Sequence, residues 1–323
     1  MRIVFLGATK FSEEMLKVIL ENKHSVEAVF SIPKTFEIRK RGNIEAEKYV
    51  NSNFSDLKAM ALSRGIPCYD VAGNGQNLAQ HFDMIAELNP DVILVLGWYY
   101  IVPKKIRDLA KKGTFGIHAS LLPDYAGGSP LVWAIINGEE KTGITMFKIE
   151  EGIDDGDILA QKEIRIDFDD TIESLYTKVT VESKEMLIRE LQRLANDTAV
   201  FKKQIKDKIK PFPIRTPDDG LIDWAKTNLK IYNFVRAQTK PYPCAFSFFD
   251  SKKIKFISVA LAELEGNFTH VQNGSIILQN QDYYIRSGDS FIRPMIIEVF
   301  DETMTFSKYF NEININERKF ENE

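Results

Sequence analysis

Asn89-Pro90-Asp91-Val92-Ile93-Leu94-Val95-Leu96-Gly97 is the stretch that decides the fold. Val92–Leu96 is an unbroken apolar run with Asn-Pro before it and glycine behind it. A strand with one wet face alternates apolar and polar residues. An unbroken run belongs to a strand covered on both faces, as in a parallel sheet flanked by helices. Upstream, His81–Leu88 has helical spacing and closes at Asn89-Pro90, Ile66-Pro67-Cys68-Tyr69 reads as a short strand, and Leu57–Ser63 as a helix with Asp56 near its start and Gly65 past its end. Further upstream lie a strand at Val26–Phe30, a helix over Phe11–Leu20 with Phe11, Met15, Val18 and Ile19 on one face, and the opening strand Ile3–Leu6, which ends at Gly7. Downstream, Lys104–Lys111 is a helix and Thr114–Ile117 a strand. Alternation of this kind specifies an α/β fold with a doubly wound, mostly parallel, Rossmann-like sheet, whose ligands bind beyond the carboxyl ends of the strands.

The pattern changes after a long amphipathic helix, Thr171–Leu194, with Leu175, Val179, Met186, Ile188 and Leu191 as core positions. Lys202–Lys210 is lysine-rich and is followed by Pro211-Phe212-Pro213 and by Arg215-Thr216-Pro217-Asp218-Asp219-Gly220, a linker signature. Beyond it come one helix, Leu229–Gln238, and short strands at Ala245–Phe249, Lys253–Ala260, Gly274–Leu278, Tyr283–Arg286 and Met295–Phe300. The division expected is 1–205 for the α/β domain and 206–323 for a smaller β-rich, OB-like barrel. The polar end, Phe310–Glu323, is expected to fray.

Composition narrows the function. With 42 basic and 46 acidic residues in 323, the net charge of −4 is a poor overall footprint for nucleic acid. Cys68 and Cys244 lie far apart without metal-ligand spacing, and His24, His81, His118 and His270 are scattered, so no metal is expected. The apolar run Val92–Val102 stops at Pro103, well short of the roughly 20 residues of a membrane span. The chain opens directly on a strand, and a cytoplasmic enzyme is the expectation.

Two short segments carry candidate chemistry. In Gly116-Ile117-His118-Ala119-Ser120-Leu121-Leu122-Pro123-Asp124-Tyr125-Ala126-Gly127-Gly128-Ser129-Pro130, a histidine ends a strand and meets a Pro/Gly-rich loop, where a catalytic side chain is presented to the crevice. A structural histidine fits that junction equally well. Gly152-Ile153-Asp154-Asp155-Gly156-Asp157 is an acidic turn between glycines, and a plain Asx turn accounts for it alone.

Together the two segments resemble the folate-dependent N-formyltransferase family, in which a histidine before Ser-Leu-Leu-Pro is coupled to an aspartate in a Gly-(Leu/Ile/Val)-Asp-x-Gly turn. Pro130-Leu131-Val132-Trp133, Ile136-Asn137-Gly138-Glu139, Thr142-Gly143-Ile144-Thr145, Met1–Gly7, Ile222-Asp223-Trp224 and Val235-Arg236-Ala237 extend the likeness over nearly the whole chain. The resemblance implies formyl transfer from 10-formyltetrahydrofolate to a primary amine, with His118 and Asp154 catalytic. Two positions depart from the family: Gly116 stands where an asparagine is usual, and Ala126 where an arginine commonly precedes the glycine. A histidine titrates near neutrality, so it suits proton transfer to the folate nitrogen or contact with a developing oxyanion, and a carboxylate orients it. Without the asparagine, another donor such as a backbone N–H is expected at the oxyanion. The turn after the catalytic strand is expected to hold a cis Leu122-Pro123 bond.

The resemblance places the folate against Gly97, Trp98, Tyr99, Tyr100 and Val102 and against Glu151, Gly152 and Ile153, although ordinary core packing also explains three aromatics at a strand end. For the acceptor, a nucleotide-linked amino sugar is preferred. Ala8, Thr9 and Lys10, at the start of the first helix, would hold its pyrophosphate with backbone N–H groups, and Ser120 is grouped with them. Methionyl-tRNA is the alternative. Basic residues between Lys34 and Lys48 (Lys34, Arg39, Lys40, Arg41, Lys48) lie where a tRNA-contacting loop would, interrupted by Glu37, Glu45 and Glu47. A further alternative is a non-catalytic folate- or amine-binding homologue. The second domain is assigned acceptor recognition or homodimer formation.

Overall fold

The computed structural model describes residues 1–38, 47–51, 53–71, 75–311 and 319–320. In chain order the elements are β1 (Arg2–Leu6), α1 (Lys10–Glu21), β2 (Ser25–Ser31), β3 (Thr35–Ile38), β4 (Glu47–Val50), α2 (Leu57–Leu62), β5 (Cys68–Asp70), α3 (Phe82–Glu87), β6 (Val92–Val95), α4 (Lys104–Arg107), β7 (Gly113–His118), α5 (Pro130–Asn137), β8 (Lys141–Lys148), β9 (Ile158–Arg165) and α6 (Ile172–Ala195). They continue with α7 (Asn228–Arg236), β10 (Ala245–Phe249), β11 (Lys252–Ala262), β12 (Ile276–Gln279), β13 (Asp282–Arg286), β14 (Phe291–Val299), β15 (Glu302–Thr305) and α8 (Phe306–Asn311).

The chain divides into two units. One comprises Met1–Gly127, Gly143–Ile164 and Thr177–Pro211; the other comprises Gly128–Thr142, Arg165–Tyr176 and Phe212–Glu323. Where the sequence reading drew one boundary, the chain passes between units several times. Lys202–Lys210, read as a linker, groups with the first unit. Its backbone is hydrogen-bonded there, Lys202 and Ile158 exchanging N–H···O bonds of 2.8 Å in both directions.

In the first unit the sheet order is β5-β2-β1-β6-β7-β8-β9. The pairs from β5 to β7 are parallel, and β8 runs antiparallel to β7. This is the doubly wound sheet that the alternation implied. Val92, Ile93 and Leu94 are fully buried, as expected of a strand covered on both faces. One layer packs Val4, Leu6, Phe30 and Ile93 against Leu78, Ile85 and Ile106. α4 ends at Arg107, a turn earlier than the helical spacing suggests, and the chain turns through Gly113 at φ 123° into β7. β3 and β4 form a two-stranded ribbon inside the segment read as a basic loop, whose Arg39, Lys40 and Arg41 lie outside the described residues.

The second unit holds an antiparallel sheet in the order β10-β11-β14-β13-β12, with β15 on β14. Its core contains Trp224, Phe256, Phe306, Phe310 and Phe320. The expectation of a frayed end fails at Phe310 and Phe320, which are 0% and 2% exposed. Single aromatics in a polar stretch give no periodic signal, yet each buries enough apolar surface to anchor the chain.

Candidate functional site

His118 is the last residue of β7. Val95 pairs with Gly116, so Gly97 and His118 leave the adjacent strands β6 and β7 at matching positions. Gly97 adopts φ +68°, and a Cβ there would lie 2.1 Å from Thr9 Oγ1 and 2.4 Å from Ser12 Oγ. Only glycine allows the end of β6 to approach the start of α1 this closely. Gly116 is hemmed in by Ile149, whose Cδ1 would lie 2.8 Å from an added Cβ.

The loop after His118 is braced from within. Leu122-Pro123 is cis, as expected from the sequence. Ser120 Oγ donates to Asp124 O at 2.6 Å, Thr145 Oγ1 donates to Ser120 O at 2.7 Å, and Gln161 Nε2 donates to Leu122 O at 2.8 Å. Ser120, expected at the substrate, is 1% exposed and braces the loop from within. Thr145 lies in a segment that carries the family likeness, but nothing in the sequence singled out Gln161. Ala126, at 0% exposure, packs with Leu122, Phe147 and Ile158. An arginine could not occupy that cluster without burying its charge.

His118 meets two oxygens. Its Nε2 is 2.8 Å from Tyr125 O and its Nδ1 is 3.5 Å from Asp154 Oδ2. The two side chains are 11% and 22% exposed. Both oxygens are acceptors, so the doubly protonated ring satisfies both and a neutral ring satisfies one. Asp154 Oδ2 also accepts the Gly127 N–H at 2.8 Å. Asp154 itself stands at φ +51°, between Gly152 and a buried Gly156 that has no room for a side chain. The arrangement can hold a proton on the imidazole, pass it on, and stabilise the ring while it is charged. The Gly127 and Gly128 amides are already donated, to Asp154 and to Phe212 O (2.9 Å), so neither replaces the missing asparagine.

At the start of α1, where a phosphate cradle was expected, the backbone amides have partners within the fold. Ala8 N donates to Gly97 O and Ser12 Oγ, both at 3.1 Å; Thr9 N donates to Ser12 Oγ at 3.0 Å; and Lys10 N donates to Asn53 O at 2.9 Å. A capping box of Thr9 and Ser12 and a neighbouring loop consume the N–H groups that a pyrophosphate would need. Motif reading could not foresee this, because it depends on what the fold brings beside the helix.

The other expected residues divide. Val102 is buried in the sheet core, and Trp98 and Tyr100 pack beside Ala8 and Ile32 with their rings edge-on at 6.0 Å. Trp98 Nε1 is buried without a hydrogen-bond partner among the described residues. Tyr99 is 42% exposed and donates its hydroxyl to Asn51 Oδ1 at 3.0 Å. Ile101 and Ile153 are exposed, as are Glu151 and Gly152. Among the described residues no cluster of His, Cys, Asp and Glu is arranged for a metal, and no helix is long and apolar enough to cross a membrane.

The formyl transferase family model matches residues 1–191, and the model for the formyl transferase C-terminal domain matches residues 215–314. A methionyl-tRNA formyltransferase from Caldanaerobacter subterraneus subsp. tengcongensis is 33% identical over 94% of this chain and 93% of its own. Another, from Citrifermentans bemidjiense, is 35% identical over 82% of this chain and 80% of its own. Among solved structures, an N-formyltransferase from Helicobacter canadensis, crystallised with folinic acid and dTDP-3-aminofucose, superposes with a TM-score of 0.65 at 22% identity, covering 90% of this chain and 98% of that one. That likeness is one of fold. With both halves matched in order and the His118–Asp154 pair assembled at the strand ends, this chain belongs to the formyl transferase family and is a formyltransferase.

Proposed function

We propose that the protein transfers a formyl group from 10-formyltetrahydrofolate to the α-amino group of methionyl-tRNA. The donor supplies a formyl carbon on nitrogen, activated enough for a neutral amine to attack. The residues present suit a flat, mostly apolar donor: Ile101 and Ile153 expose apolar side chains, and Trp98 Nε1 is a buried donor lacking an acceptor. His118 moves a proton between the incoming amine and the departing nitrogen at the strand end, while Asp154 orients the ring. The observation that carries this reading is the His118 Nδ1–Asp154 Oδ2 approach of 3.5 Å, with the same oxygen accepting the Gly127 N–H.

Relatedness along almost the full length to methionyl-tRNA formyltransferases supports the tRNA acceptor over the amino sugar preferred from the sequence. The occupied amides of Ala8, Thr9 and Lys10 weaken the sugar reading further, since its pyrophosphate loses its cradle. The exposed lysines of 202–210 supply cations of the kind a phosphate backbone needs. Gly116 and Ala126 favour the nucleotide-linked amino sugar as the second reading, because both depart from the usual family pattern. The deciding experiment gives the purified protein 10-formyltetrahydrofolate and, in parallel, initiator methionyl-tRNA and a panel of nucleotide-linked amino sugars. Formyl-methionyl-tRNA is expected, at a rate falling steeply between about 50 and 200 mM salt. Turnover of a sugar alone, with little salt dependence, would promote the second reading.

A further inference from the structure

Asp154 is the strained member of the pair. A non-glycine residue at φ +51° persists only where its surroundings fix it. The two carbonyls of its turn, those of Asp154 and Gly156, point at one atom. Gln204 Nε2 donates to both, at 2.8 Å each. A side-chain amide has two N–H bonds on that nitrogen, and this geometry uses both. Gln204 Oε1 is buried and has no hydrogen-bond partner among the described residues, so these two bonds are what the amide gains by being there.

Gln204 is itself held from both sides. Lys202 is paired with Ile158 through the backbone, and Ile209 packs against the cluster of Leu122, Ala126, Phe147 and Ile158. Lys206 Nζ reaches Asp155 Oδ2 at 2.9 Å and Glu150 Oε2 at 3.4 Å. A stretch that reads as a linker thus grips the acidic turn at its backbone and at its flanking carboxylates.

We infer that Gln204 is a positioning residue for the reaction: its amide fixes the left-handed turn that sets the Asp154 carboxylate against His118 Nδ1 and the Gly127 N–H. The inference rests on the His118–Asp154 reading of the site but not on the identity of the acceptor. A displacement of an ångström at a catalytic group can cost about 100-fold in rate. Gln204→Met keeps the length of the side chain and removes both donors. It is expected to lower kcat about 10- to 100-fold while leaving KM for donor and acceptor within about twofold. Gln204→Asn keeps the amide but withdraws it by one methylene, and is expected to fall between wild type and Gln204→Met.

A second readout needs no substrate. The Gly127 amide is protected by Asp154 Oδ2, so its hydrogen exchange is expected to quicken about tenfold or more in Gln204→Met, while the amides of Phe5 and Leu94 in the central sheet exchange as in wild type. Should Gln204→Met fail to fold, the same two measurements on Gln204→Asn decide the matter. Unchanged exchange at Gly127 overturns the inference, as does an unchanged kcat or a rise in KM at constant kcat. If methionyl-tRNA is not the acceptor, the proposed function fails alone, because the Gly127 exchange still tests Gln204.

Discussion

Asp154 Oδ2 faces His118 Nδ1 at 3.5 Å while accepting the Gly127 N–H at 2.8 Å. One carboxylate oxygen thus ties the acidic turn both to the histidine and to the loop that follows it. Tyr125 O, on the other ring nitrogen, fixes the imidazole plane. The two ring nitrogens of the histidine thus face two different loops.

Asp154→Asn keeps the shape and removes the charge. The amide can still accept from Gly127, but it no longer stabilises a charged ring. We expect kcat to fall about 100-fold or more, with the melting temperature within a few degrees of wild type. Steady-state kinetics with a thermal melt check this. A variant retaining more than a third of wild-type kcat would remove Asp154 from the mechanism.

Ser120→Ala separates the two roles considered for Ser120. As a brace it donates to Asp124 O from a site that is 1% exposed. Its loss should lower unfolding free energy by about 1 kcal/mol and leave KM for the acceptor unchanged. A severalfold rise in KM at unchanged stability would restore it to the substrate.

Gly97→Ala tests the contact between the end of β6 and the start of α1. The new methyl would sit 2.1 Å from Thr9 Oγ1 on a backbone at φ +68°. We expect a loss of about 2–3 kcal/mol in denaturant unfolding. A loss below about 1 kcal/mol would mean that the Thr9–Ser12 cap yields readily.

Much of this was legible in the sequence. Val92–Leu96 identified the buried parallel strand, and His118 with Asp154 identified the pair that the fold brings together, because both signals are local or carried by a motif. What escaped depends on the folded geometry of hydrogen bonds, some of them between residues distant in sequence. Ser120 and the amides of Ala8, Thr9 and Lys10 stand where a ligand-binding motif would put them, yet Asp124, Gly97, Ser12 and Asn53 take their hydrogen bonds. Gln204 sits among lysines and prolines that read as a linker, and only the folded turn shows two carbonyls converging on it. Phe310 and Phe320 were hidden because a lone aromatic has no period.

The last expectation concerns pH and the second unit. Glu298 is 6% exposed, and its carboxylate accepts hydrogen bonds from Lys240 and from Lys255, the latter at 2.6 Å. These bonds hold its carboxyl below the usual range, Lys240 first and Lys255 next, against the opposing effect of burial. A carboxyl that is more acidic folded than unfolded adds stability above its unfolded value of about 4.3, and that stability is lost as pH falls through the folded value. Lys255 is shifted up, chiefly by its hydrogen bond to Glu298, so its share persists until pH rises beyond the ordinary lysine range of about 10.4. Between about pH 5 and pH 10 the cluster is therefore intact. Glu298→Gln removes the charge and keeps the volume. Because the two lysines are partly exposed, the expected loss at pH 7 is about 1–2 kcal/mol, between a surface and a buried ion pair. The wild-type minus variant difference in unfolding free energy should begin to shrink below the unfolded value of about 4.3 and vanish as pH falls through the lower folded value, where wild-type Glu298 is protonated too. Subtracting the two curves cancels the other carboxylates, which titrate alike in both proteins. A difference that stays constant from pH 7 down to the acid unfolding of the protein would show that Glu298 acts through packing rather than through its charge.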